Sequence, residues 1–143
     1  EELFLKPGLK ILEIGTGSGY HAAIVSKIVG AKGLVYSVER HKNLAESARD
    51  NLKKAKIDNV KVFEGDGSLG LPNFKPYDRI YVTCASPDLP KPLINQLNDP
   101  GIILIPIGKM FCQLKRFEKE YGKTSLKDLG SCSFVPLIGR YGH

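Results

Sequence analysis

The sequence predicts one α/β domain with a doubly wound, mostly parallel sheet, and two observations carry this prediction. Short apolar segments, typical of buried strands, alternate with segments that repeat apolar residues at helical spacing. The first apolar segment runs into three alternate glycines (Gly15, Gly17 and Gly19), and the second ends at the acidic residue Glu39. This layout is typical of chains that bind a nucleoside-bearing cofactor over the carboxyl ends of parallel strands.

The individual elements follow from local residue patterns. In the first predicted helix Ala22 and Val25 lie on one face, and in the second Ala48 and Leu52 keep the same spacing. Strands that alternate with helices need crossover connections, which make neighbouring strands parallel. The predicted strands are 10–14, 34–39, 60–64, 77–83 and 101–107, and the predicted helices are 18–29, 41–55 and 91–97.

The end of the chain has a different pattern. Residues 111–119 and 132–138 are strand-like, and between them lie a glycine-containing turn at 122–125 and a polar stretch without helical periodicity. Two strands without a helix between them pair antiparallel. The sequence therefore predicts an antiparallel C-terminal strand pair at one edge of the sheet, within a single domain that covers residues 1–143.

Composition and charge exclude several classes of protein. No apolar run approaches the length of about 18 residues that a membrane-spanning helix needs. The three cysteines form no CxxC pair, which favours a reducing, cytoplasmic setting and no zinc or other metal site. The net charge of +6 is spread over mixed acidic and basic stretches without a basic and aromatic run, so we expect a solvated surface and no nucleic-acid partner.

The spacing of the glycines indicates which nucleoside cofactor fits. A dinucleotide fingerprint would place its third glycine where Tyr20 stands, whereas Gly15-x-Gly17-x-Gly19 is shorter and suits a cofactor without phosphate. Glu13 precedes the loop, and its carboxylate would repel a pyrophosphate but attract the sulfonium and ammonium of S-adenosylmethionine, directly or through water. Capping of local backbone donors by Glu13 is the alternative.

Two further carboxylates follow the next strands. Glu39 ends the second strand, where it can accept hydrogen bonds from both ribose hydroxyls, or act as a favourable charge at a helix N-terminus. Asp66 lies in the loop Gly65–Gly67 after the third strand and can accept from the adenine amine, or close an Asx-type turn. At successive strand ends in the correct order, these features together predict a class I methyltransferase core.

Several longer motifs make the chain resemble the protein-L-isoaspartate O-methyltransferase family over nearly all of its length. The glycine-loop motif in Leu12–Ala23 and the motif Gly65–Gly67 are shared by many methyltransferases. The Gly-Tyr-x-Ala-Ala continuation, the Pro-x-Gly after the fifth strand and the terminal Phe-Val-Pro-Leu are more specific. The motifs are Leu12–Ala23, Val38–Arg40, Gly65–Gly67, Tyr77–Ile80, Ala85–Pro87, Leu93–Leu97, Ile105–Gly108 and Phe134–Leu137.

The resemblance implies a Rossmann-like methyltransferase fold and a repair activity. Members of the family transfer a methyl group from S-adenosyl-L-methionine to the α-carboxylate of L-isoaspartyl residues in damaged proteins. The implied partners are isoaspartyl proteins and peptides, with no membrane and a monomeric chain. The backbone of Val135 would hold the isoaspartyl peptide. The cofactor-binding residues would be Glu13, Gly15, Thr16, Gly17, Ser18, Gly19, Glu39, Arg40, Asp66 and Gly67.

The chain departs from the family in one place. The family carries a Ser-x-Pro-His-like motif before the first strand, and nothing in residues 1–9 matches it. Either the chain is truncated or it has lost this step; we expect truncation, with the catalytic hydroxyl upstream of Glu1 and an exposed apolar patch where the missing segment would lie. We predict no catalytic residue within 1–143. The substrate carboxylate is already ionised and needs no general base.

Other functions are compatible with parts of this pattern. A tRNA or small-molecule methyltransferase could share the core, although the segment Thr83–Pro87 lacks the Asn/Asp-Pro-Pro-aromatic motif of many nucleic-acid amino-methylases. A module that binds S-adenosylmethionine without turnover is a second alternative, and a nicotinamide-dependent dehydrogenase a third. His21, Cys84 and Ser86 lie near the predicted site, but surface, core or loop roles are favoured for them.

Overall fold

The strands of the protein form one seven-stranded sheet. The structure is a computed structural model that describes residues 1 to 143. The strands are β1 (Lys10–Ile14), β2 (Leu34–Glu39), β3 (Val60–Glu64), β4 (Tyr77–Val82), β5 (Leu97–Gly108), β6 (Cys112–Glu120) and β7 (Lys123–Cys132). Their order in the sheet is β3-β2-β1-β4-β5-β6-β7. The strands β1 to β5 pair in parallel, and β6 and β7 are antiparallel, which confirms the predicted fold class.

Three α-helices connect the parallel strands. They are α1 (Tyr20–Val29), α2 (Lys42–Lys54) and α3 (Lys91–Gln96), and single 3₁₀ turns lie at Gly67–Leu69 and Pro72–Phe74. The helix α1 begins two residues later than predicted, because Gly19 has the left-handed φ of 84° and keeps Ser18 and itself in the loop. The longest helix has 13 residues, and none is long and apolar enough to cross a membrane.

The central strands β1, β2 and β4 are largely buried on both faces, as strands of parallel sheets generally are. Alternate residues of a strand point to opposite faces, so Ile11 packs with α1 on one side while Leu12 belongs to the larger cluster on the other side. The larger cluster includes Tyr36, Tyr77 and Ile103. These packed faces hold the carboxyl ends of β1, β2 and β4 in fixed relative positions.

The last strand differs from the prediction of a strand over 132–138, which is wrong. β7 covers Lys123–Cys132 instead, and no side chain of this strand is buried. An edge strand with both faces in water needs no alternation of apolar and polar residues. The polar sequence of Lys123–Cys132 therefore gives no strand signal. The apolar segment Phe134–Ile138 lies outside the strand, with the carbonyl of Val135 accepting from Ala85 N at 2.7 Å and Leu137 buried.

Candidate active site

A cavity of about 550 Å³ lies where the carboxyl ends of β1, β2 and β4 meet. Its walls come from strand ends, from the first residues after each strand, and from the segment 135–138 that crosses above them. Six of the residues predicted to bind cofactor or substrate line this cavity. They are Gly15, Gly17, Glu39, Arg40, Gly67 and Val135.

The first wall is the glycine loop, whose backbone only glycine adopts without strain. The φ angles of Gly15, Gly17 and Gly19 are 91°, 54° and 84°. A Cβ on Gly15 would also collide with the hydroxyl of Thr83, which donates to the Gly15 carbonyl at 2.6 Å. The loop therefore brings its backbone directly to the cavity, where no side chain intervenes between the peptide groups and a ligand.

Glu39 forms the second wall and is held by the backbone. One carboxylate oxygen accepts from Gly17 N at 3.0 Å and the other from His41 N at 2.9 Å, with 6% of the residue exposed. Each oxygen keeps a further lone pair, so the carboxylate can still accept two hydrogen bonds from a ligand. The structure thus orients Glu39 as a bidentate acceptor beside the glycine loop, which suits a pair of neighbouring hydroxyls.

Glu13 lies behind the glycine loop and does not line the cavity. It is fully buried, and the hydroxyls of Ser37 and Tyr81 donate to its two oxygens. Burial raises the pKa of Glu13 to about 7, against the lowering effect of these two hydrogen bonds, and the charge of Glu39 raises it further. Sequence analysis missed Ser37 and Tyr81, although both are register partners of Glu13 in the sheet.

Asp66 adopts the second of its two predicted roles, the Asx-type turn. Its carboxylate accepts from the backbone and hydroxyl of Ser68 at 2.9 and 2.6 Å and from Arg140 N at 2.8 Å. Burial would raise the pKa of Asp66, but these hydrogen bonds and the charge of Arg40 lower it below its ordinary value. Asp66 caps the turn Gly67–Leu69 as an Asx-type residue, faces a smaller neighbouring hollow, and leaves Gly67 to line the cavity.

The remaining predicted residues separate into lining and distant positions. Thr16 is buried, and Ser18 and Gly19 border a small hollow between α1 and α2. Cys84 lines the cavity, and burial together with the charge of Glu39 raises the pKa of its thiol to about 12, so the thiol is neutral at pH 7. Ser86 is buried without a hydrogen-bond partner for its hydroxyl.

The lining also includes residues that sequence analysis did not assign to the site. Thr83, His41, Leu44 and Leu137 are among them. Leu44 and His41 follow β2, where an aromatic base would extend from a ribose held by Glu39, but neither residue type carries a recognisable signal on its own. No group of three or more His, Cys, Asp and Glu side chains is placed to hold a metal ion.

Comparisons with known proteins agree with this geometry. The family profile described as "Protein-L-isoaspartate(D-aspartate) O-methyltransferase (PCMT)" matches residues 1–142. A protein named protein-L-isoaspartate O-methyltransferase from Methanocella arvoryzae is 52% identical over 142 residues, which are 99% of this chain and 76% of that protein.

Solved structures show the same similarity. One protein-L-isoaspartate O-methyltransferase superposes with a TM-score of 0.92 at 35% identity, over 98% of this chain and 45% of that chain. A second, from Plasmodium falciparum in complex with S-adenosyl-L-homocysteine, gives a TM-score of 0.83 at 26% identity, over 93% of this chain and 67% of that chain. The chain thus spans less than half of the first solved enzyme. On its motifs, its fold and these similarities, the chain belongs to the protein-L-isoaspartate(D-aspartate) O-methyltransferase family.

Proposed function

We propose that the cavity binds S-adenosylmethionine and that the chain carries the methyl-transfer core of an L-isoaspartyl repair enzyme. The observation that carries the cofactor assignment is the pairing of the bare glycine loop with Glu39. The loop offers close backbone approach, and the carboxylate is aimed by two N–H donors at the position of a ribose. The complex of the Plasmodium falciparum relative with S-adenosyl-L-homocysteine supports the same assignment.

The charges around the cavity favour this cofactor over a dinucleotide. The Glu39 carboxylate lies in the cavity wall and gives the space beside the glycine loop a negative potential. Such a potential attracts a sulfonium and an ammonium group and repels a pyrophosphate. Arg40 is exposed at the outer rim, where solvent screens its charge.

The proposed methyl transfer requires no general base from the side chains of this protein. When bound, S-adenosylmethionine supplies a methyl group activated by its positive sulfur. An isoaspartyl α-carboxylate is ionised at neutral pH and needs no base to become a nucleophile. The neutral thiol of Cys84 is consistent with such a reaction. The residues that line the cavity hold the cofactor and exclude water from it.

The segment above the cavity supports the peptide part of the proposal. The carbonyl of Val135 is bonded to Ala85 N, whereas the N–H of Val135 makes no hydrogen bond and its side chain is 71% exposed. A free backbone donor beside a cavity can pair with an extended peptide whatever its side chains. We propose that Val135 N–H holds the substrate backbone, which fits an enzyme that must accept damaged sites in many sequences.

Two measurements test the proposal in sequence. Calorimetry with S-adenosylhomocysteine should show binding in the micromolar range or tighter, and no binding to folded protein would contradict the cofactor assignment. Transfer of a radiolabelled methyl group is then measured on a peptide with isoaspartate and on its aspartate twin, with the full-length Methanocella relative as positive control. Equal labelling of both peptides contradicts repair, and binding without labelling of either indicates a cofactor-binding module.

A further inference from the structure

Four buried polar side chains, linked by hydrogen bonds, lie beneath the glycine loop. The methyl transfer proposed above does not use them. Tyr81 OH donates to one oxygen of Glu13 at 2.8 Å, and Ser37 Oγ donates to the other. The same Ser37 hydroxyl lies 2.5 Å from Thr16 Oγ1. All four residues are at most 7% exposed, so no solvent competes for these hydrogen bonds.

The ionised carboxylate gives this chain of hydrogen bonds a direction. A carboxylate only accepts, so Ser37 must donate to Glu13, and the Ser37 oxygen can then accept the hydroxyl proton of Thr16. The orientation of the Thr16 hydroxyl is thereby fixed from a carboxylate two hydrogen bonds away. Without Glu13, the hydroxyls of Ser37 and Thr16 could exchange donor and acceptor roles freely.

Thr16 is the position at which such fixing matters. It stands between Gly15 and Gly17, both with positive φ, and glycine backbones are the least restricted in a chain. Glu39 already holds Gly17 N from the cavity side. The hydrogen bond of Thr16 to Ser37 holds the same loop from the opposite, buried side.

We propose that Glu13 is a positioning residue of the cofactor site, which acts through Ser37 on Thr16 and orders the loop Gly15–Gly19 without lining the cavity. The inference rests on the proposed function, because it concerns the affinity of that same site. Glu13 then acts on the cofactor indirectly, through the geometry of the loop, and not by a direct electrostatic contact.

The surroundings of Glu13 make its influence dependent on pH. The titratable groups that face it are Tyr81 from β4 and Glu39 at the end of β2, while α1 contributes the apolar residues Ala22 and Val25 to the same side of the sheet. Because the pKa of Glu13 is about 7, the carboxyl is protonated at pH 6 and ionised at pH 8. A protonated carboxyl can donate to Ser37, which reverses the direction of these hydrogen bonds: Ser37 then donates to Thr16, and the Thr16 hydroxyl keeps this contact only as an acceptor.

The affinity for S-adenosylhomocysteine, measured by calorimetry at pH 6 and pH 8, tests this role. Loss of one intramolecular hydrogen bond corresponds to about a 3- to 10-fold change in affinity, and protonation of Glu13 reverses the Ser37–Thr16 hydrogen bond without removing it, so the unsubstituted chain should bind only about 3-fold more tightly at pH 8. Glu13→Gln should remove this pH dependence. Ser37→Ala should weaken binding by about the same factor, and the double variant should be no weaker than Ser37→Ala alone.

Matched variants separate positioning from general destabilisation. Ser26→Ala removes another buried hydroxyl on α1, one that bonds to Asn59, and should change the affinity less than about twofold. If Ser37→Ala does not fold, Thr16→Val removes the other end of the same hydrogen bond and should give the same loss. Thermal unfolding of each variant confirms that the folded protein is being titrated.

Three outcomes would overturn the inference. Multiplicative effects of Glu13→Gln and Ser37→Ala would mean that Glu13 acts directly on the cofactor. A pH dependence that persists in Glu13→Gln would belong to another group and not to Glu13. No binding by the unsubstituted chain at either pH would overturn the proposed function itself, and the inference with it.

Discussion

The strands that carry the glycine loop and the strands at the C-terminal edge are held in place by different forces. In β1, four of five residues are buried, and its one carboxylate is enclosed by hydroxyl donors. In β7 no side chain is buried, and the strand is fixed by its backbone pairing with β6 and by surface contacts such as the ion pair of Lys115 with Asp128 at 2.7 Å.

This difference predicts where function and stability are coupled. Around the glycine loop the backbone and the buried carboxylates are held by specific hydrogen bonds. A substitution there should therefore alter folding and ligand binding together. At the C-terminal edge solvent replaces a lost contact, and screened surface ion pairs contribute little. The predictions below test this contrast, beginning with the largest expected effect.

Gly15→Ala should give the largest loss. A Cβ at this residue meets the Thr83 hydroxyl and also forces a non-glycine residue into a φ of 91°, so unfolding should become easier by about 4 kcal/mol. Binding of S-adenosylhomocysteine should weaken by more than about 100-fold, because a 3 kcal/mol distortion of the loop corresponds to that factor. Urea unfolding and calorimetry measure the two effects.

Gly8→Ala is the matched control for that substitution. Gly8 has a nearly identical φ of 86°, but a Cβ there meets nothing within 4 Å. It should therefore cost only the backbone term of about 1 kcal/mol and leave binding unchanged. Equal losses in the two variants would show that backbone strain alone, and not the close packing at the loop, decides stability in both places.

Glu13 should make the whole domain less stable as pH rises through the weakly acidic range. Its pKa lies at about 7 in the folded chain against 4.5 in the reference state, so between these values the folded chain retains a proton that the unfolded chain has lost. Stability contributed by this group is complete below pH 4.5 and lost by about pH 7, with a total near 3 kcal/mol. Urea unfolding at pH 5 and pH 8 should show the fall, and Glu13→Gln should be nearly flat. A rise in stability over this interval in the unsubstituted chain that is absent in Glu13→Gln would reverse the assigned direction of the shift.

Glu39→Ala should act mainly on binding. The substitution removes an acceptor for the ligand and leaves the N–H groups of Gly17 and His41 without their partner, for a combined loss of about 2 kcal/mol in the binding of S-adenosylhomocysteine. Glu46→Ala on the exposed face of α2 removes the same charge far from the loop and should leave the affinity unchanged. Similar affinities for both variants would remove Glu39 from the site.

The same contrast explains what could be predicted from the sequence. The sequence predicts β1 to β4 to within one residue, because each of them contains apolar residues that the core buries. The sequence misplaces β7, because backbone pairing at an exposed edge requires no apolar residues and the apolar segment Phe134–Ile138 has the stronger strand pattern. Gly15, Gly17 and Glu39 line the cavity, as their local backbone patterns indicate, and their contact with a cofactor stays a prediction.

The environment of Glu13 and the hydrogen bond from Arg140 to Asp66 depend on partners distant in sequence and could not be predicted, whereas the Asx-type turn of Asp66 is local. Glu13 is enclosed by hydroxyls from two neighbouring strands, and Asp66 is bonded to Arg140 near the other end of the chain. A carboxylate in a motif is compatible with both a ligand contact and a structural role. Only the register of the sheet and the course of the final residues distinguish the two.

Leu126→Ser should have the smallest effect and gives the sharpest test of the contrast at the edge. Leu126 lies directly opposite Phe117 in the ladder of β6 and β7, yet Leu126 is 56% exposed and Phe117 only 8%. Removing the exposed side chain should change the free energy of unfolding by less than about 0.5 kcal/mol, whereas Phe117→Ala should cost about 3 kcal/mol because it opens a cavity in the main core. A loss of more than about 1.5 kcal/mol for Leu126→Ser would mean that β7 shares the core stability of the parallel strands. In that case the boundary between the two regions lies beyond β7 and not, as the burial indicates, between β6 and β7.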